Sequence, residues 1–164
     1  MLGGPARAPT VGPEPALVHA IALWLAQEFE LSSIQRYPAI KIVSSDAMIS
    51  LRYRGLLPIN ARVEGASNGE APPASDILAI YSDRDETIYL AEGWNSGTAA
   101  GVSVLVHEMV HHLQRVLGLR HECPQEREKL AYQAQERWLG LFGHSLEKDF
   151  RLDGFSLLVK TRCF

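Results

Sequence analysis

Two histidines four residues apart, His107 and His111, flank Glu108 in the run Val104-Leu105-Val106-His107-Glu108-Met109-Val110-His111-His112-Leu113-Gln114. On an α-helix, residues four apart lie one turn above each other on the same face. His107 and His111 would then offer both imidazoles to one zinc ion. Glu108 sits about 100° round the helix from His107. It leans over the open side of such an ion instead of joining the ligands, which suits it to act as a general base on water.

A catalytic zinc site takes three protein ligands and keeps one position open. The downstream candidates for the third are His112, His121, Glu122, Glu126, Glu128, Glu136 and His144. His112 points about 140° away from His107. Glu126 falls on the third position of a helix that opens Cys123-Pro124-Gln125-Glu126, where an acid caps the end and favours the dipole. Glu128 shares a face of that helix with Ala131, Tyr132, Gln135 and Leu139. Small Ala131 admits close packing, and an antiparallel return after a short link carries Glu128 back toward the histidines. Packing therefore favours Glu128, while spacing alone leaves the others open. Gln114, one turn beyond His111, is either a hydrogen-bonding support for a ligand or a plain surface residue, the simpler expectation.

These groups need a frame. The helix bearing the histidines runs from about Thr98 to Leu117, with Ser96 or Thr98 as cap and Gly118 as stop. Val102, Val106, Val110, Leu113 and Leu117 line one side of it, widened by Leu105, Met109 and Val116, so it is buried deeply. His107 and His111 share a separate stripe with Ala100, Ser103, Val104 and Gln114. The second long helix runs from Cys123-Pro124 to about Phe142. Upstream, Leu17, Ile21, Leu23, Trp24, Leu25 and Phe29 mark a scaffold helix from Ala16 that ends at Ser32-Ser33. Ala39 to Val43 reads as a strand, Ala47 to Tyr53 as a short helix capped by Asp46, and Ile59 to Val63 as a short strand. Glu64 to Ser75 is a loop rich in Gly, Pro, Ser and Asn. Asp76 to Ser82 and Thr87 to Leu90 form a β-hairpin around a polar turn. Asp149 to Phe164 reads as a closing strand or a packed tail. Residues 1–15 hold four prolines and three glycines and read as a flexible leader. The expectation is one α+β domain over 16–164, with a small, mainly antiparallel sheet packed on the three helices.

His107-Glu108-x-x-His111, followed by a helix carrying Glu128-x-x-Ala131-Tyr132, resembles the gluzincin branch of zinc metallopeptidases. The order of helix, strands, hairpin, His-Glu-x-x-His helix and Glu helix resembles their single-domain minigluzincin cores. The likeness covers residues 75–142 best, and Val104 to Gln114 with Cys123 and Ala131-Tyr132-Gln133 is similar to small bacterial zincins. Where many gluzincins carry Asp four residues after the ligand Glu, this chain has Tyr132, and it has no second substrate-binding domain. The resemblance implies a zincin-like fold, one catalytic Zn2+ held by His107, His111 and Glu128, and Glu108 as the base. It also implies that the strand before the active helix lines the cleft as an edge, so that Thr87 to Leu90 would pair with an extended peptide or protein substrate. Tyr132 is then a candidate donor to the oxyanion, the alternative being simple packing with its hydroxyl at the surface.

The rest of the composition narrows the field. The chain has 164 residues, 46% of them hydrophobic and 21% charged, with a formal net charge of −3. That suits one soluble domain with a real core. No basic stripe is present, which argues against a nucleic-acid partner, and no apolar run is long enough to span a membrane. Cys123 and Cys163 are either one disulfide or two free thiols. The start carries no intact signal peptide; a secreted or periplasmic protein that has lost one is favoured over a cytoplasmic one. Peptide-bond hydrolysis by a zinc metallopeptidase is the function expected, the alternative being a zinc-binding zincin-like scaffold, sensor or interaction domain without catalysis.

Overall fold

The computed structural model of the chain describes residues 11–53 and 78–164. The expected strand Ile59 to Val63, the loop Glu64 to Ser75 and the first ten residues of the leader lie outside them. Among the described residues nine elements follow in order: α1 (Pro15–Glu28), β1 (Ala39–Val43), α2 (Ser45–Tyr53), β2 (Ala79–Ser82), β3 (Thr87–Ala91), α3 (Ala99–Val116), α4 (Pro124–Gly140), α5 (Leu146–Phe150) and α6 (Gly154–Thr161). The fold is α+β, as expected.

Local chemistry explains most boundaries. Pro15 opens α1, where a missing N–H costs nothing. The helix stops short of Ser32 because Glu30 turns left-handed at φ 52°. The cap of α2 is Ser44, whose hydroxyl accepts from the Ala47 N–H at 3.2 Å; Asp46 lies inside the first turn instead, where its charge favours the dipole. Thr98 caps α3 by accepting from the Gly101 N–H at 3.0 Å. A Cβ on Gly101 would lie 2.0 Å from the Asn95 carbonyl oxygen, so only glycine fits this turn.

The sheet order is β1-β3-β2. β2 and β3 form the expected hairpin, antiparallel with Ala79 opposite Leu90 and Ser82 opposite Thr87. β1 pairs with β3 in parallel, from Ala39 opposite Thr87 to Val43 opposite Ala91. The sheet is therefore mixed, not mainly antiparallel. A parallel pair needs a long crossover, and the chain between β1 and β3 supplies one that includes α2. This order also overturns the expected edge. β3 is the middle strand, so Thr87 to Leu90 spend both backbone edges on neighbours and are themselves buried. They cannot pair with a peptide.

α3 is the central element, in contact with α1, α4, β2 and β3. Ile21, Leu25, Ile88, Leu90, Leu105, Met109 and Leu113 are fully buried in one shared core. Ala131 and Ala134 of α4 are also fully buried there. These small side chains permit the close approach of α4 to α3 that the sequence calls for. The C-terminal stretch is helical, which settles the choice between strand and packed tail. Ser145 caps α5 and Asp153 caps α6, each accepting from a backbone N–H three residues on. α6 packs on α4 but buries no residue of its own. Cys123 and Cys163 form a disulfide, with Cα atoms 5.8 Å apart. No helix among the described residues is long and apolar enough to cross a membrane.

Candidate metal centre

His107 and His111 project from one stripe of α3 and are almost completely buried, as is Glu108. Their ring centroids are 5.0 Å apart. Glu128, from the second turn of α4, closes the third side. Its Oε2 lies 3.0 Å from His107 Nε2, and its Oε1 lies 3.2 Å from His111 Nε2. The three residues place ligand atoms within 4.8 Å of one another. The structure thus brings together the histidine pair and the favoured third candidate.

Each imidazole is fixed from behind by an amide. His107 Nδ1 donates to Gln135 Oε1 at 3.0 Å, and His111 Nδ1 donates to Gln114 Oε1 at 2.9 Å. With its proton on Nδ1, a neutral imidazole aims the Nε2 lone pair at Glu128. Two lone pairs and a carboxylate then face one another across a buried space. Such a donor set repels itself unless a cation, either protons or a metal ion, sits between the groups. The chemistry of the residues therefore fits a divalent ion of the zinc kind. Without one, protons take that place. His111 is raised above its usual value: burial opposes its charge, but the Glu128 hydrogen bond and the Glu108 and Glu128 carboxylates outweigh it. Glu128 is held far below the carboxylate range, because its hydrogen bonds to both histidines outweigh its burial.

The amides are themselves anchored. Gln135 Nε2 donates to Ser103 Oγ at 3.2 Å. Gln114 Nε2 donates to the Arg127 carbonyl at 2.9 Å, so α3 and α4 are linked directly behind the histidines. Gln114 is 3% exposed, which overturns its reading as a surface residue. Gln135 and Arg127 are the contributors that sequence reasoning missed. Gln135 carried a signal, standing seven residues after Glu128 on the same helical face. Arg127 carried none, because its partner is remote in sequence. Its guanidinium holds Asp83 of the hairpin turn bidentately and also donates to the His111 carbonyl at 3.3 Å. Burial opposes the ionisation of Asp83, yet Arg127 holds it below the usual carboxylate value.

The other candidates stand elsewhere. His112 is fully buried on a different face; its Nε2 donates to the Arg36 carbonyl at 2.7 Å, which leaves Nδ1 to accept from the Tyr81 hydroxyl at 3.1 Å. Glu126 Oε2 accepts from the Glu122 N–H, and Glu136 Oε2 accepts from the Leu146 N–H. His144 pairs with Asp149. Glu122, Glu126 and Cys163 also cluster, but Cys163 has no thiolate to offer.

A cleft of about 680 Å³ opens over the centre. Glu108, Glu128 and Tyr132 face it, as do Leu78 to Tyr81 of the β2 side and Phe150, Leu152 and Val159 of the C-terminal segment. Tyr132 lays its ring against His107 with centroids 4.6 Å apart, an edge contact at 71°. Burial and the Glu128 and Glu108 charges push its hydroxyl up to about 12, so it stays protonated and able to donate.

A model of the family described as "Domain of unknown function (DUF6647)" matches residues 10–163, and the chain belongs to that family. No curated protein and no solved structure matches it.

Proposed function

We propose that this DUF6647 protein is a zinc-dependent hydrolase, a small gluzincin-like metallopeptidase with a zincin-like arrangement of helices and sheet. One observation carries the reading: His107, His111 and Glu128 converge with both Nδ1 atoms anchored, while Glu108 stands beside them at the cleft. A bound zinc ion would supply a lowered water pKa and a Lewis acid for the substrate carbonyl. Glu108 takes a proton from the attacking water at a carboxylate oxygen and returns it to the leaving amine. Tyr132, which lines the cleft, would donate its hydroxyl to the developing oxyanion.

The edge of β2 supports a mode of peptide binding. β2 pairs only with β3 among the described residues, and its Leu78 to Tyr81 side borders the cleft. An extended peptide would add to this edge, beside the metal centre. An exported protein would suit the disulfide.

The test is direct. Purified protein should carry one zinc per chain and cleave members of a peptide library. Glu108→Gln should keep the zinc and lose activity by roughly 10²- to 10⁴-fold. Full activity in that variant removes Glu108 as the base. Stoichiometric zinc with no cleavage of any peptide sinks the peptidase and leaves the zinc-binding scaffold.

A further inference from the structure

Two cations line the cleft, and the hydrolytic chemistry gives them no work. Arg52 enters from the last turn of α2 and Lys160 from the last turn of α6. They share the cleft with Glu108, Glu128 and Tyr132. Neither has a carboxylate partner among the described residues, whereas Arg36, Arg115, Arg127 and Arg137 each meet one. Arg52 lines the same cleft as Tyr132. The Tyr132 ring in turn lies against the ligand His107.

The charge balance of the cleft has a direction. Its two carboxylates are both committed, Glu128 to the histidines and Glu108 to the reacting water. Arg52 and Lys160 offset them in number, so a bound divalent ion leaves the cleft with positive charge to spare. Arg52 and Lys160 are exposed, so solvent screens that charge and their effect depends on direct contact with the bound group. A neutral peptide leaves the two cations unanswered, whereas a peptide bearing a carboxylate engages them with charge-assisted hydrogen bonds.

We propose that Arg52 and Lys160 bind a carboxylate of the substrate and thereby set specificity for peptides with an acidic group beside the scissile bond. This rests on the metallopeptidase reading above. The carboxylate belongs either to an Asp or Glu side chain or to a free peptide C-terminus.

The experiment uses the full chain, zinc-loaded, as Glu108→Gln so that peptides bind without being consumed. Dansyl-labelled peptides are titrated by fluorescence anisotropy in two series. One compares Glu with Gln in C-terminally amidated peptides; the other compares free with amidated C-termini in Gln peptides. The carboxylate member should bind about tenfold more tightly in at least one series, as charge-assisted hydrogen bonds predict. That preference should shrink as salt rises. Preference in the first series assigns the side chain, and preference in the second assigns the terminus. Arg52→Gln and Lys160→Gln should each reduce the preference, and the pair should abolish it, with zinc affinity unchanged in chelator competition. Equal binding of acid and amide in both series overturns the proposal while the zinc centre stands. A preference that survives the double variant overturns it too. Failure to bind zinc defeats the metallopeptidase reading and this proposal with it.

Discussion

His107 Nδ1 and Gln135 Oε1 meet at 3.0 Å, so α4 both supplies the candidate ligand Glu128 and holds the tautomer of the candidate ligand His107 on α3. Gln114 does the same for His111 from within α3. Removing either acceptor leaves the imidazole free to rotate or to move its proton to Nε2. Gln135→Leu and Gln114→Leu should each weaken zinc binding about 10- to 100-fold, read by competition with a chromophoric chelator. Unchanged affinity in both variants would show that the amides do not matter to the ligands.

Glu128→Ala should remove most zinc affinity, and with it the rise in melting temperature that zinc produces. Glu126→Ala is the matched control, since that side chain caps the entry to α4 at Glu122 and does not face the histidines. It should bind zinc like the parent. If zinc binding survived loss of Glu128 and failed on loss of Glu126, the ligand set argued above would be wrong.

The Asp83–Arg127 pair fixes the hairpin turn to the back of the metal centre. Asp83 is 45% exposed on its side chain, so screening limits its contribution to about 1 kcal/mol or less. The sign follows from its lowered pKa. A depressed carboxylate adds stability that is fully present above its usual 3.8 and is lost as pH falls through the folded value. Asp83→Asn should therefore lower the melting temperature at neutral pH and lose that deficit in acid. Thermal melts of both proteins from about pH 7 to about pH 3 would check it, and a deficit that grows in acid contradicts the pairing.

Gly101→Ala forces a methyl against the Asn95 carbonyl at the start of α3. The turn must open, which also disturbs the Trp94 indole N–H donating to the Gly101 carbonyl at 2.8 Å. The expected loss is about 1–3 kcal/mol in chemical denaturation. A neutral outcome would mean that the turn before α3 yields easily.

What could be read from sequence was what helical spacing controls. His107 and His111 share a face by arithmetic, and a short link, a small Ala131 and the return of α4 favour Glu128 among the downstream candidates. Strand order obeys no local spacing. Nothing in Thr87 to Leu90 announces that β1 arrives from across the chain to pair with it in parallel, so an edge was expected where the middle of the sheet stands. Gln114 and Gln135 were hard to place for a different reason. An amide costs little at a surface and looks the same there as it does behind a ligand; only the facing helix makes it functional. In the tail, Phe155, Leu157, Leu158 and Val159 are too crowded to show a period, so the helices capped by Ser145 and Asp153 are legible only in the structure.

The Cys123–Cys163 bond has a consequence for maturation. It joins residues 40 apart in sequence and ties the end of the C-terminal wall to the first turn of the helix bearing Glu128. α6 buries no residue, so this covalent link is its firmest attachment. Every residue of the metal centre precedes Cys163 in the chain. During synthesis the candidate ligands are complete before the wall can be fastened, so on the proposed reading a metal ion has an open side to enter by. On the proposed reading, reduction would leave the candidate ligands His107, His111 and Glu128 in place while untying the C-terminal wall of the cleft.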